Sequence, residues 1–131
     1  MRGRVGWLSF KEKRQDSVDE VREPNDFLND HGSGRLVGNH EHAKWVSLSG
    51  KISGADASIT VLCHPDNVRA PQSARLHPSK PYFCFSPCVD DRFVIDKGHP
   101  LTSRYRFLVT DWPGDPDWIN SQWLIYQNTV R

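Results

Sequence analysis

The sequence has no long hydrophobic run and almost no net charge. No apolar stretch approaches the roughly 20 residues of a membrane-spanning helix, and the amino-terminal residues lack the apolar centre of a secretion signal. We therefore expect a soluble chain, cytoplasmic as written, with no membrane partner. Its 17 basic and 16 acidic residues leave a net charge of +1. That balance gives no overall field to attract a polyanion, so we expect no nucleic-acid partner.

Cysteine is also scarce: the sequence contains only Cys63, Cys84 and Cys88. An odd number cannot form a fully paired disulfide framework, and the spacing of Cys84 and Cys88 is that of neither a redox motif nor a zinc ribbon. Free cysteine packs as a small hydrophobic residue, so we expect all three to be structural.

Recognisable catalytic motifs are missing as well. The sequence shows no Ser-His-Asp elbow, phosphate-binding glycine loop or dinucleotide-binding fingerprint. The sequence therefore leaves the catalytic residues unknown and does not decide whether the chain is an enzyme, and we predict no cofactor. It does not predict an oligomeric state.

What the sequence does contain is aromatic residues and short β-branched runs, which indicate one folded domain over residues 1–131. Alternating or β-branched segments predict strands over residues 5–10, 44–51, 58–63, 82–85, 92–95 and 101–110. Residues 53–56 supply hairpin turn chemistry, and residues 11–38, rich in Asp, Glu, Asn and Gly, are expected to form a long irregular loop.

The last segment of the chain carries helix signals instead. Asp115 followed by Pro116 is a typical helix start. Apolar residues then recur at helical spacing, at Ile119, Trp123, Tyr126 and Val130. We predict a mainly β fold, an antiparallel β-sandwich with a C-terminal amphipathic α-helix packed on a sheet.

The most informative stretch is the loop over residues 64–71, His-Pro-Asp-Asn-Val-Arg-Ala-Pro. Polar side chains just beyond a strand end, between two prolines, are typical of a preorganised binding surface. His64 could act as acid, base or ligand, and Arg69 could hold a carboxylate, a phosphate or a hydroxyl group. The alternative is that Asn67 and Asp66 stabilise a turn and Arg69 forms an internal ion pair.

Other candidate ligand-binding residues lie outside this loop. Arg104 and Arg106 project from one face of a predicted strand, where they need solvent, acidic partners or an anionic ligand. Trp45 could serve as a stacking platform. Asp111 could act as a general base, although capping a turn is the simpler role. Together with His64, Asn67 and Arg69, these residues are the candidates for binding a carbohydrate or a small polar ligand.

His40 and His42 resemble a pair of metal ligands, because alternate residues of a strand share a face. No third ligand can be identified from the sequence, and polar loop residues explain the pattern equally well. We therefore predict no metal site.

Several motifs, taken in order, resemble an uncharacterised bacterial family that is labelled PmoA or methane oxygenase. They are residues 45–50 (WVSLSG), 64–71 (HPDNVRAP), 75–78 (RLHP), 81–85 (PYFCF), 97–98 (KG) and 103–107 (SRYRF). The resemblance covers residues from about 34 to 126. It implies that the chain is the C-terminal part of a longer β-sandwich protein, similar to the large sandwiches of sugar mutarotases.

Three functional hypotheses follow. The first is a structural or binding domain of the PmoA-labelled family, with no established activity. The second is a carbohydrate-binding or carbohydrate-processing domain, which predicts that Trp45, Trp112 or Trp118 is exposed beside His64 and Arg69. The third is a metal-dependent oxygenase, which requires at least three metal ligands to converge.

Overall fold

A computed structural model of the chain describes residues 26–129. These residues form six strands and one helix: β1 (Asp26–Asn29), β2 (Trp45–Ile52), β3 (Ala55–Cys63), β4 (Ala74–Leu76), β5 (Phe83–Phe85), β6 (Tyr105–Thr110) and α1 (Pro116–Gln127). One antiparallel sheet has four strands in the order β1-β2-β3-β6, and β4 and β5 form a second, two-stranded antiparallel sheet. The predicted mainly β fold with a C-terminal helix is confirmed.

The β2–β3 hairpin organises the larger sheet. Only Ser53 and Gly54 separate the two strands, and both have positive φ, at 51° and 81°. Two-residue hairpin loops favour such backbone angles because their twist matches that of the flanking strands. The predicted turn over residues 53–56 is therefore confirmed, but it is tighter than expected, and β3 begins at Ala55 rather than at Ser58.

Alternation along β2 divides the core in two. Val46 and Leu48 face the small sheet, where ten buried side chains form the main cluster: Phe27, Ala43, Val46, Leu48, Val61, Cys63, Ala74, Leu76, Phe83 and Phe85. Trp45 faces the other way and packs with Leu62, Ile119 and Tyr126 beneath α1. A strand buried on both faces needs apolar side chains at successive positions. This explains the burial of Trp45, Val46 and Leu48, whereas the buried Ser47 hydroxyl accepts a hydrogen bond from Thr60 Oγ1 at 2.9 Å.

Helix α1 begins as the sequence predicts. Asp115 is the N-cap, and its side chain accepts a hydrogen bond from the Asp117 backbone N–H at 3.1 Å. Pro116 then opens the first turn, where a missing N–H costs nothing. Ile119 and Tyr126 are buried against the sheet, as the spacing predicts. The fourth position of the pattern, Val130, lies outside the described residues.

Some expectations about irregular segments are wrong. Residues 26–29 fall inside the predicted loop over 11–38 but form β1, because their backbone pairs with β2 from Ser49 to Val46. The three-residue strand β4 was not predicted, since three residues carry too little periodicity to signal a strand. The predicted strand over residues 5–10 lies outside the described residues.

Two further predictions about strands need correction. Residues 92–95 form no strand, because the carbonyl groups of Asp91 and Arg92 accept hydrogen bonds from the Arg69 guanidinium instead of from a neighbouring strand. The strand predicted over 101–110 begins only at Tyr105, opposite Cys63, where β3 ends. Without a partner strand, residues 101–104 have no ladder to join.

Candidate functional site

His64 lies immediately after β3 and is almost fully buried, with 1% of its surface exposed. Its Nδ1 accepts a hydrogen bond from the Asp66 backbone N–H at 3.1 Å, and its ring packs edge-on against the ring of Tyr126, with centroids 5.0 Å apart. The other ring nitrogen, Nε2, is buried and has no hydrogen-bond partner among residues 26–129. A buried polar atom without a partner is uncommon in proteins.

Arg104, the residue just before β6, approaches the same imidazole. Its Nη2 lies 3.2 Å from His64 Nδ1 and donates to the Asp66 carboxylate at 2.8 Å. Because a guanidinium group is only a donor, His64 Nδ1 must act as an acceptor here. In the neutral imidazole the proton then lies on Nε2, the buried atom. His64, Asp66 and Arg104 therefore form one connected polar cluster, with the Asp66 side chain 67% exposed at its outer end.

Asn67 holds this cluster to the sheet. Its Oδ1 accepts from the Arg104 backbone N–H and its Nδ2 donates to the Arg104 carbonyl, both at 2.7 Å. The backbone N–H of His64 also donates to that carbonyl, at 3.2 Å. The Asn67 amide thus takes the place of a backbone partner just beyond the β3–β6 ladder. The residue stabilises the loop, as one of the two sequence interpretations predicts.

Arg69 points to a different segment of the chain. It has a positive φ of 57°, and its guanidinium donates to the carbonyl groups of Pro87, Asp91 and Arg92. The same group lies 5.5 Å from the centroid of the Phe93 ring. These contacts attach the 64–71 loop to residues 87–93, and they involve carbonyl groups rather than the ion pair considered from the sequence.

The remaining candidates do not join the cluster as ligand-facing groups. Trp45 is fully buried, and its indole N–H donates to Asn120 Oδ1 at 2.8 Å. Arg106 lies with its guanidinium carbon 4.6 Å from the centroid of the Tyr126 ring. Asp111 is exposed just past Thr110, at the end of β6 opposite to the end that meets Cys63.

A shallow pocket adjoins His64 at the end of β3. It is lined by Lys44, Cys63, Pro65, Ala70, Pro71 and Trp123, with a volume of about 100 Å³. The Trp123 indole N–H donates to the Cys63 carbonyl at 3.0 Å, which fixes the ring against the strand end. Lys44 Nζ lies 4.9 Å from the centroid of that ring. No carboxylate in the described part of the chain pairs with Lys44.

Neither of the two distinctive residues of this pocket, Lys44 and Trp123, is predicted as a binding residue from the sequence. Trp123 was identified only as a member of the apolar helix face, and Lys44 only as the start of a predicted strand. The carbohydrate hypothesis expected Trp45, Trp112 or Trp118 beside His64. Instead, Trp112 is 46% exposed and packs against Trp118, beyond the far end of β6. Only the position of α1 on the sheet brings Trp123 to the loop.

His42 has a structural role in the same region. Its Nδ1 lies 2.6 Å from the Pro71 carbonyl oxygen and its Nε2 lies 3.0 Å from the Asp90 carboxylate. Both ring nitrogens therefore already face protein groups. Within residues 26–129, no three His, Cys, Asp or Glu side chains are placed to hold a metal ion. His40 and His42 gain no third ligand there.

The three cysteines differ in their surroundings. Cys63 is buried in the main core, and burial raises the pKa of its thiol. Burial also raises the pKa of the half-buried Cys84. Because a thiol with a raised pKa is a poor nucleophile near neutral pH, both fit the predicted structural role. Cys88 is exposed, so packing does not account for it.

A comparison with protein-family models places this chain in a family. The model of a family of unknown function, DUF6807, matches residues 2–124. No curated protein matches the chain, and no solved structure does. Of the helices in the described residues, none is long and apolar enough to cross a membrane.

Proposed function

We propose that this chain, which belongs to the DUF6807 family, is a ligand-binding β-domain that takes a carbohydrate or a small polar ligand. The binding surface is the pocket between the 63–71 segment and Trp123. The observation that carries the proposal is the Trp123 ring, held by its hydrogen bond to the Cys63 carbonyl beside Lys44. An aromatic face next to a donor without a carboxylate partner suits a ring with an apolar face and polar edges.

The loop that forms one wall of this pocket is preorganised. Asn67 and Arg69 direct their polar groups to the protein's own backbone, so Pro65 and Pro71 keep their positions on either side. A rigid wall lowers the entropic cost of binding. The polar side chains that the sequence offered as ligand contacts therefore support the site instead of forming its surface.

The size of the pocket limits the ligand. Its volume of about 100 Å³ is below the roughly 300–1,000 Å³ of sites that enclose a drug-sized molecule. We therefore propose that it holds one edge of a sugar ring, or the terminal unit of a longer chain that continues into solvent.

The oxygenase hypothesis has no such support, because no set of three metal ligands converges in the described part of the chain. The resemblance of residues 34–126 to the PmoA-labelled family stays a prediction.

The proposal is tested by titrating the protein with a panel of neutral and acidic mono- and oligosaccharides, followed by tryptophan fluorescence and calorimetry. We expect a millimolar or tighter complex that Lys44→Ala and Trp123→Leu weaken about tenfold or more. Trp112→Leu is the matched control, because Trp112 is exposed at the opposite end of β6. It should leave the affinity unchanged.

Two results would contradict the proposal. One is the absence of binding to every sugar in the panel, which would favour a purely structural domain. The other is a complex that Lys44→Ala and Trp123→Leu leave intact while Trp112→Leu abolishes it, which would place the site at the other end of the sheet.

A further inference from the structure

Strand β6 is the last strand of the four-stranded sheet. It pairs with β3 on one side, and no strand among residues 26–129 pairs with its other side. Proteins usually protect such an edge with proline, several charged side chains or a bulge, because unpaired backbone groups attract other strands. The sequence of β6, Tyr-Arg-Phe-Leu-Val-Thr, contains no proline and one charged residue, Arg106, and its register with β3 is continuous. The edge is therefore suited to receive another strand.

Exposed apolar side chains lie along the same strand. Phe107 is 44% exposed and Val109 is 75% exposed. They stand opposite Val61 and Ile59 of β3, on the face that carries the main core. The small sheet covers only the beginning of this face, where Tyr105 stacks on Phe85 with ring centroids 5.7 Å apart. Beyond that point, no contact within residues 26–129 buries Phe107 or Val109.

The opposite face of β6 carries a positive charge. Arg106 packs over the Tyr126 ring, and none of the described residues supplies a carboxylate to it, whereas Arg104 is paired with Asp66. A strand added beside β6 would therefore meet two different surfaces. One is apolar, at Phe107 and Val109, and the other is cationic, at Arg106.

We propose that β6 is the docking strand for an extended peptide segment of a partner protein, in which acidic residues alternate with apolar ones. Backbone hydrogen bonds along β6 provide the affinity in this mode of recognition, and alternate side chains provide the specificity. The apolar residues of the peptide cover Phe107 and Val109. Its acidic residues, on the other face, pair with Arg106, since opposite charges on neighbouring strands stabilise each other.

Charge favours this occupant over a second copy of the chain. Two β6 strands paired about a two-fold axis, with their apolar faces aligned, place both Arg106 side chains on the same face of the joined sheet. Like charges on adjacent strands destabilise the pairing. An acidic, apolar peptide avoids that repulsion and neutralises Arg106.

The test uses the full chain and two capped hexapeptides, Glu-Val-Glu-Val-Glu-Val and Lys-Val-Lys-Val-Lys-Val, which share their apolar face and differ in charge. Binding is followed by amide chemical shifts and by hydrogen exchange of residues 105–110. We expect the glutamate peptide to bind and to protect those β6 amides that do not donate to β3. We expect the lysine peptide to bind at least about tenfold more weakly.

Three variants locate the contact. Val109→Lys should weaken the binding of the glutamate peptide, because the substitution places a charge on the apolar face of β6. Arg106→Glu should reverse the preference between the two peptides. Val94→Lys is the control, since Val94 is 79% exposed and lies outside any strand, and it should change neither affinity. Because Val109 is itself largely exposed, its replacement should leave the thermal stability unaltered.

The proposal is overturned if neither peptide binds, or if Arg106→Glu leaves the preference unchanged. It is also overturned if the β6 amides that do not donate to β3 are already protected without peptide. Protection that grows with protein concentration would identify a second copy as the occupant. Protection in the monomer would assign the edge to residues 1–25 of the same chain.

Discussion

The Asn67 side chain forms two hydrogen bonds, each 2.7 Å long, to the backbone N–H and carbonyl of Arg104. Strand β3 ends at Cys63 opposite Tyr105, so this amide continues the pairing of β6 by one more residue. The 64–71 loop is thereby attached to the sheet beside the residues that line the proposed pocket.

Replacing Asn67 should therefore destabilise the whole domain. Asn67→Ala leaves the Arg104 N–H and carbonyl without these partners, and we expect the free energy of unfolding to fall by about 2–3 kcal/mol. Asn67→Asp keeps the acceptor and loses the donor, so it places a carboxylate beside the Arg104 carbonyl and should also destabilise. Urea denaturation measures both. Equal stability of Asn67→Ala and the wild type would show that the two bonds contribute nothing.

Arg69 should be irreplaceable by lysine. Its planar guanidinium donates to the carbonyl groups of Pro87, Asp91 and Arg92, and a single ammonium group cannot reproduce that fork. We expect Arg69→Lys to accelerate hydrogen exchange over residues 87–92 nearly as much as Arg69→Ala does. Exchange in the β2–β3 hairpin serves as the internal control and should change little. Full protection in Arg69→Lys would contradict this role.

Tyr105 should make stability depend on pH in the alkaline range. Burial raises the pKa of its phenol to about 12, compared with about 10 in an unfolded chain. Between these values the folded state retains the proton longer, so the stabilisation present below pH 10 is lost as the pH rises towards 12. Tyr105→Phe removes this titration and also the hydrogen bond from the hydroxyl to Gln72 Oε1, 2.5 Å long.

The measurement compares the wild type and Tyr105→Phe by urea denaturation at neutral pH and above pH 10. At neutral pH we expect the variant to be less stable by about 1–2 kcal/mol, because the Oε1 atom of the fully buried Gln72 loses the donor that Tyr105 provides. The difference between the two proteins should shrink as the pH rises. A difference that stays constant up to pH 12 would show that Tyr105 titrates normally.

Trp45 should contribute to stability more than to ligand binding. It is fully buried and donates to Asn120, so Trp45→Phe removes buried area and one hydrogen bond. We expect a loss of about 2–4 kcal/mol. Trp112→Phe, at a tryptophan that is 46% exposed, is the control and should stay within about 0.5 kcal/mol of the wild type. Equal losses in the two variants would contradict the burial of Trp45.

Local patterns in the sequence were sufficient for much of the secondary structure. Alternation and β-branching predicted the β2–β3 hairpin, and the Asp115–Pro116 pair predicted the start of α1. These features depend on neighbouring residues, whose periodicity and capping chemistry are visible in the sequence itself. The same kind of pattern predicted a strand over residues 92–95, and that prediction is wrong. The carbonyl groups of Asp91 and Arg92 accept hydrogen bonds from Arg69, which is distant in the sequence.

The sequence by itself determined the mainly β architecture, the C-terminal helix and the identity of 64–71 as a notable loop. Only the tertiary structure decided what that loop does. It shows Asn67 and Arg69 bonded to backbone groups that are distant in sequence, and it brings Lys44 and Trp123 together at one pocket. Long-range partners of this kind leave no local periodicity to detect. The sequence therefore identified the polar residues that support the site but not the residues that form its surface.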